Sequence, residues 1–175
     1  MYRSICVRAS LLCCVVACVA PSDEAATADS VAADELGVAP LATTVVQFQR
    51  INTTLCLTEN VSGNPKIFEG VCDRNNKRQR WSWLTDSLGS KFVPQSVPTN
   101  CLDVQGGSKS SGAQIVFADC ASDLNQEWLS FSTPLLGFQI KNVNGHLCMT
   151  RTSVGFVQQP CDPNSAVQNF LLNTL

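Results

Sequence analysis

The stretch CLDVQGGSKSSGAQIVFADCASDLNQEW, residues 101–128, holds a pattern that this chain repeats three times. Each copy has a cysteine followed by Leu or Met, then a second cysteine, then Gln, any residue and an aromatic. The first cysteines are at positions 56, 101 and 148, the second at 72, 120 and 161, and the closing aromatics at 81, 128 and 170. Equivalent positions are therefore 41 to 48 residues apart. This regular spacing predicts three structural repeats.

Short apolar or alternating runs within each repeat indicate β-strands. Residues 43–51, 113–120 and 137–143 are examples, and clusters of Gly, Asn, Asp, Pro and Ser separate such runs. No stretch of the repeats shows a sustained helical period. One repeat is too short to cover its own apolar face, so the three must share a core. We expect an all-β domain in which three similar units close a barrel with a hairpin cap.

The order Cys-Leu-Asp, Cys, Gln-x-Trp resembles the ricin B-type β-trefoil lectin family. The resemblance extends over residues 43–175, with repeats at about 45–88, 92–134 and 138–175. It implies a β-trefoil of twelve short strands, four in each repeat. Residues 138–175 also resemble, more weakly and only locally, repeats in the cell-binding subunits of cytolethal distending toxins, which are degenerate trefoils of the same type.

The six cysteines of the domain can pair in many ways, and the ricin-type resemblance selects one of them. It implies the bridges Cys56–Cys72, Cys101–Cys120 and Cys148–Cys161, each within one repeat.

The resemblance also implies that the Gln-x-aromatic triplets are scaffold. On a strand, the Gln and the aromatic would share the inner face, and the middle residue would point outward. The residues expected to have this structural role are Gln79, Trp81, Gln126, Trp128, Gln168 and Phe170.

Lectins of this type build a sugar site from four positions of a repeat, and the middle repeat matches two of them. Asp103 follows Cys-Leu, and Asn125 directly precedes Gln-x-Trp. The other two positions call for a Gln and an aromatic, but Val116 and Ala118 occupy them. Valine cannot donate a hydrogen bond to a sugar hydroxyl, and alanine offers little stacking surface.

Two further polar residues, Gln105 and Gln114, are candidates to replace the missing sugar contacts. A structural interpretation of Asp103 stays open beside the sugar site: its carboxylate could accept backbone N–H bonds in the turn that leads to Gly106 and Gly107. The first and third repeats do not match the family's sugar site, because other residues replace the Asp, the aromatic and the Asn. These are Thr58, Gly70 and Arg78 in the first repeat, and Thr150, Gln159 and Val167 in the third.

Charge and motif content argue against several other functions. From residue 43 onward the chain has ten Lys and Arg and nine Asp and Glu, a balance that gives nucleic-acid binding no support. The chain has one histidine, His146, and no serine in a nucleophile-elbow motif. We therefore expect no enzyme activity, no cofactor and no metal site.

The expected partners are glycans or glycoconjugates, bound by a lectin-like module. Two alternatives stay open. One is a cell-binding or protein-interaction subunit that works with a toxin or enzyme partner, and the other is a trefoil protease inhibitor.

The N-terminal residues are predicted to direct export. Residues 1–17 combine two arginines with an uncharged apolar run at 9–17 that is too short to span a bilayer. Residues 18–42 are rich in Ala and acids and lack Lys, Arg and aromatics, which predicts a disordered tether. Val15-Val16-Ala17-Cys18 resembles a bacterial lipobox, in which the cysteine is lipidated. The alternative is cleavage at Ala26-Thr27-Ala28, which would give a secreted protein attached to no membrane.

The lipobox interpretation predicts that Cys18 carries a lipid at a bacterial cell surface or outer membrane. When the chain is expressed in a bacterial host with a fatty-acid analogue, label should attach to it and should disappear in Cys18→Ser. Cys14→Ser is the matched control and should keep the label. Absence of label from the unmodified chain would instead indicate free secretion.

Overall fold

The computed structural model describes residues 43–60 and 67–175. The predicted export signal at 1–17 and tether at 18–42 lie outside the described residues. Within the two described ranges, no helix is long and apolar enough to cross a membrane.

The described residues form twelve short strands joined by turns, so the all-β prediction is confirmed. The strands are β1 Thr44–Arg50, β2 Leu55–Glu59, β3 Ile67–Val71, β4 Trp81–Thr85, β5 Ser90–Pro94, β6 Asn100–Val104, β7 Ile115–Asp119, β8 Trp128–Ser132, β9 Phe138–Asn142, β10 Cys148–Thr152, β11 Gly155–Gln159 and β12 Phe170–Thr174. Three 3-10 turns are also present in the described residues, at Lys77–Gln79, Gln105–Gly107 and Leu124–Gln126.

Six of the strands close into a barrel. The antiparallel pairs run β1 to β4, β4 to β5, β5 to β8, β8 to β9, β9 to β12, and back from β12 to β1. The other six strands form three antiparallel hairpins, β2 with β3, β6 with β7, and β10 with β11. Two barrel strands and one hairpin per repeat make up the expected β-trefoil.

Aromatic side chains from different repeats fill the barrel. Trp81, which ends the first triplet, lies edge-on to Phe48 and stacks on Phe117 of the middle repeat at a centroid distance of 5.2 Å. Phe117 is thus turned toward the core, as strand alternation predicts. Trp128 and Phe170, the aromatics of the other two triplets, are also buried. Because these rings come from all three repeats, no single repeat has a core of its own.

The three disulfides join the two cysteines within each repeat. The bridges are Cys56–Cys72, Cys101–Cys120 and Cys148–Cys161, with Cα–Cα distances of 4.9, 4.9 and 5.0 Å. This confirms the pairing implied by the resemblance. Each bridge ties the hairpin of its repeat to the segment that leads into the Gln-x-aromatic triplet.

The glutamine of each triplet makes the same set of hydrogen bonds in all three repeats, here called the glutamine clamp. Its Nε2 donates to the carbonyl just before the second cysteine at 2.9 Å in every repeat. Its Oε1 accepts the backbone N–H just after that cysteine at 2.7 to 2.8 Å. The clamp therefore holds the chain on both sides of each disulfide.

A second N–H bond from each glutamine reaches the side chain two positions after the first cysteine. The acceptors are Thr58 at 3.0 Å, Asp103 at 2.8 Å and Thr150 at 2.9 Å. The two threonine hydroxyls in turn donate to the carbonyls of Cys56 and Cys148. The middle repeat thus differs from the others by having a carboxylate as the clamp acceptor.

The expectation that the middle residue of each triplet points outward is wrong. Glu127 and Asn169 are both 0% exposed, and Arg80 is half-buried. In the first two repeats the glutamine lies in a 3-10 turn and the strand begins only at the aromatic, so strand alternation does not apply across the triplet. The buried Glu127 carboxylate is balanced by Lys91, whose Nζ lies 2.7 Å from Oε1.

Removing one clamp should destabilise the whole domain. Gln168→Met removes the hydrogen bonds to the Asp162 N–H, the Pro160 carbonyl and the Thr150 hydroxyl, which should lower the free energy of unfolding by about 3 kcal/mol. Gln159→Met is the control, because Gln159 is half-buried and its side chain bonds to no described residue. Urea denaturation of both variants checks this, and equal stabilities would contradict a structural role for the clamp.

Candidate functional site

An open depression lies in the middle repeat, where the ends of β6 and β7 meet the 3-10 turn that precedes Trp128. A turn of the third repeat completes its rim. The residues that line it are Asp103, Gly106, Gly107, Ala118, Asp119, Ala121, Asp123, Leu124, Asn125, Gln126 and Asn144.

Asp103 is the most deeply buried charged group of this depression. It lies on β6 opposite Val116 of β7 and is only 4% exposed. Its Oδ2 accepts hydrogen bonds from Asn125 Nδ2 and Gln126 Nε2, each at 2.8 Å. No described residue donates to its Oδ1. The carboxylate is therefore held on one side by two amides and has acceptor capacity left on the other.

The interpretation of Asp103 as an acceptor of backbone N–H bonds in the following turn is wrong. Both of its donors are side-chain amides. The turn has its own support, since Gly106 and Gly107 adopt φ values of 63° and 64°, a left-handed backbone that favours glycine. These two glycines carry the chain around the edge of the depression.

Asn125 is placed by its neighbours on both sides. Its Nδ2 reaches Asp103 and, at 3.3 Å, the carbonyl of Val104. Its own carbonyl accepts a bond of 2.9 Å from the buried Asn142 of the third repeat. Asn142 also accepts the backbone N–H groups of Asn144 and Gly145. The third repeat thus fixes both Asn125 and the turn that brings Asn144 to the rim.

Burial raises the pKa of the Asp103 carboxyl, and the nearby Asp123 carboxylate adds to the rise. The hydrogen bonds from Gln126 and Asn125 act in the opposite direction, because they stabilise the charged form. The environment of Asp103 is therefore one in which a further hydrogen-bond donor or a positive charge would be favourable.

The structure brings Asp103 and Asn125 together and leaves the other two predicted contacts out of the depression. Gln105 is exposed at the start of its turn, and Gln114 is half-buried and bridges to Val157 of the third repeat. These two residues are joined by a backbone hydrogen bond of 2.9 Å, which the Gln105 N–H donates to the Gln114 carbonyl. Val116 is buried on β7 directly across from Asp103, whereas Ala118 lines the depression.

Five residues of the depression escape the sequence pattern. Four belong to the opening stretch, but no family position marks them: Asp119, Ala121, Asp123 and Leu124. Asn144 comes from the third repeat, and its Nδ2 donates to the Gly107 carbonyl at 2.8 Å. Only the folded arrangement shows that it reaches the depression of another repeat. The described residues contain no group of three or more His, Cys, Asp or Glu that could hold a metal ion.

The equivalent places in the other two repeats lack the free carboxylate oxygen. Thr58 and Thr150 each accept the clamp bond and donate their hydroxyl proton to a carbonyl. A threonine hydroxyl used in both ways has little left to offer a ligand. Of the three clamp acceptors, only Asp103 keeps an oxygen to which no residue in the described part of the chain donates.

A model of the ricin-type β-trefoil lectin domain matches residues 44–170. The chain belongs to this family. No curated protein matches it at a significant level.

Solved structures share the fold. The designed threefold-symmetric protein ThreeFoil superposes with a TM-score of 0.67 at 15% identity, covering 75% of this chain and 99% of the designed one. A mosquitocidal holotoxin gives 0.66 at 16% identity, covering 77% of this chain and 18% of the toxin. The lectin of Polyporus squamosus, solved with Neu5Acα2-6Galβ1-4GlcNAc, gives 0.64 at 12% identity, covering 77% of this chain and 50% of the lectin. This ricin-type chain thus spans at most half of the two natural proteins.

The raised pKa of Asp103 gives a pH dependence of stability with a definite sign. Because the folded state binds the proton more tightly than the unfolded state, this group's contribution to the free energy of unfolding falls as pH rises from the unfolded pKa, about 3.9, through the raised folded pKa. Asp103→Asn removes this contribution and keeps an amide oxygen for the clamp.

Relative to the unmodified domain, Asp103→Asn should gain stability between about pH 4 and about pH 7. Urea denaturation at both pH values measures the difference. A relative loss of stability on going to the higher pH would show that the carboxylate is favoured in its charged form and would contradict the raised pKa.

Proposed function

We propose that this protein is an exported, non-catalytic carbohydrate-binding module whose sugar site is the depression of the middle repeat. The observation that carries the proposal is the Asp103 carboxylate. It is almost fully buried and lines an open depression; two amides hold Oδ2, and no residue within 43–60 or 67–175 donates to Oδ1. A sugar hydroxyl that donates to Oδ1 would make a charge-assisted hydrogen bond, which is stronger than one between neutral groups.

Polar groups near Asp103 add further sugar contacts. The Asn125 amide already donates to Asp103 and Val104, so it can accept from a neighbouring hydroxyl through Oδ1. The Asn144 amide uses one N–H on Gly107 and can both donate to and accept from a hydroxyl. Their positions are set by Asn142 and by the clamp, so little ordering is needed on binding.

The depression offers a sugar ring only aliphatic apolar contacts. No aromatic side chain is among the lining residues, and Leu124, at 43% exposure, and Ala118 offer aliphatic surface in its place. Loss of a stacked ring costs about 1 kcal/mol beyond its area. We therefore expect weak monovalent binding, with a Kd of about 1 mM or somewhat below.

The three disulfides support export, because such bridges form and persist in oxidising compartments. They do not separate free secretion from lipid anchoring. That distinction depends on Cys18, which lies outside the described residues.

The site predicts sugar binding that depends on Asp103. The domain should give reproducible hits on a glycan array, and Asp103→Ala should lose them while keeping its circular dichroism spectrum. Thr150→Ala is the matched control, because it removes the clamp acceptor of the third repeat but leaves the depression intact. Binding that survives Asp103→Ala, or that is lost equally in Thr150→Ala, would contradict a site at this depression.

A silent array would favour the second class of function, a protein-interaction or toxin-partner subunit with a degenerate pocket. Affinity capture from the source organism's secreted proteins would then be the informative experiment. Inhibition of a protease by the purified domain would instead favour the trefoil-inhibitor alternative.

A further inference from the structure

We infer that the depression of the middle repeat selects sugars that carry a protonated amine, such as the glucosamine units of chitosan, over their N-acetylated and acidic counterparts. This inference rests on the proposed function and names the ligand class of the same site. Three observations support it: the charge of the lining residues, the lack of a structural task for two of the carboxylates, and the free oxygen of Asp103.

The depression has charged groups of one sign only. Asp103, Asp119 and Asp123 line it, and the eleven lining residues include no Lys, Arg or His. None of these three carboxylates belongs to an ion pair with a described residue; the ion pairs found in the described residues involve Glu69 and Glu127. The site therefore presents a negative potential that would attract a cation and repel a carboxylated or sulfated sugar.

Asp123 is not needed to build its turn. It occupies the N-cap position of the 3-10 turn Leu124–Gln126, but its side chain makes no capping bond. In the first repeat the equivalent Asn76 does cap its turn, accepting the N–H of Arg78 at 3.0 Å. The Asp123 carboxylate is therefore available to interact with a ligand in the depression.

The Asp119 carboxylate is likewise not needed by the fold. It is exposed at the end of β7, and the clamp uses only its backbone carbonyl, which accepts from Gln126 at 2.9 Å. No described residue donates to its carboxylate. Two charges that the fold does not use thus stand beside the buried Asp103.

An ammonium group suits this arrangement better than a hydroxyl. It has three donors and no acceptor, so it can bond to Asp103 Oδ1 and at the same time offset the Asp123 charge. Burial raises the pKa of Asp103 and the Asp123 charge adds to the rise, whereas a bound cation would favour the charged carboxylate and oppose both effects. Exposed ion pairs are worth little singly, so the selectivity should come from several carboxylates acting together.

The test compares two probes that differ in one feature, the chitosan trimer with free amines and the fully N-acetylated trimer, by calorimetric titration of the domain at about pH 6. The free-amine trimer should bind about tenfold more tightly at low salt. This preference should shrink as ionic strength rises, because exposed charges are screened.

Asp123→Asn should reduce the preference for the free-amine trimer about threefold. Asp73→Asn is the control; Asp73 is exposed in the first repeat, and its side chain accepts a bond from Asn75 N that an asparagine can keep.

The pH profile gives an independent check. Affinity for the free-amine trimer should fall at high pH as its amine loses the proton, and at low pH as Asp103 is protonated. The N-acetylated trimer should lack the high-pH loss.

Equal binding of the two trimers, or tighter binding of the N-acetylated one, would overturn this inference and leave the proposed sugar site standing. The same holds if neither trimer binds but other glycans on the array do. Loss of all glycan binding would overturn the proposed function itself.

Discussion

The glutamine clamp is the constraint on which the rest of this domain depends. A buried glutamine amide must use its donors and acceptor inside the protein, and here it does so at the two peptide groups that flank a cysteine. The disulfide, the end of the hairpin and the start of the barrel strand are thereby joined at one place. Since this happens three times, each repeat places its aromatic in the shared core.

The candidate site comes from a change in one member of this network. Thr58 and Thr150 satisfy the clamp with a hydroxyl that also donates its one proton to a backbone carbonyl. Asp103 satisfies it with one of two carboxylate oxygens, and the second has no donor among the described residues. A residue that the scaffold already orients can therefore also serve a ligand, with its geometry fixed before the ligand arrives.

Much of the fold could be predicted from the repeat pattern, because the residues of each clamp and each disulfide lie close together in the sequence of one repeat. The ricin-type resemblance implies the pairing of Cys101 with Cys120, and strand alternation predicts the burial of Phe117. The burial of Glu127 could not be predicted in this way, because Gln126 lies in a 3-10 turn and the strand begins only at Trp128, two residues later than the pattern indicates. Its partner Lys91 lies on another strand, where no sequence spacing connects the two.

Only the part of the candidate site that the middle repeat supplies could be predicted from the sequence. Asp103 and Asn125 lie in one stretch and match a known arrangement. Asn142 and Asn144 belong to the third repeat. Asn142 bonds to Asn125, and Asn144 lines the depression, only because the barrel brings neighbouring repeats together. Gln105 and Gln114 show the reverse case: both have suitable chemistry and lie close in sequence, but their strand and turn positions keep them out of the lining.

The most direct measurement is an NMR titration that follows the side-chain amide signals of the three clamp glutamines and Asn125 as an oligosaccharide is added. The signals of Gln126 and Asn125 should shift, because their shared acceptor takes on a new donor, while those of Gln79 and Gln168 should stay in place. Shifts confined to the first or third repeat, or equal shifts in all three glutamines, would contradict the claim that the carboxylate at the middle clamp is what makes the site.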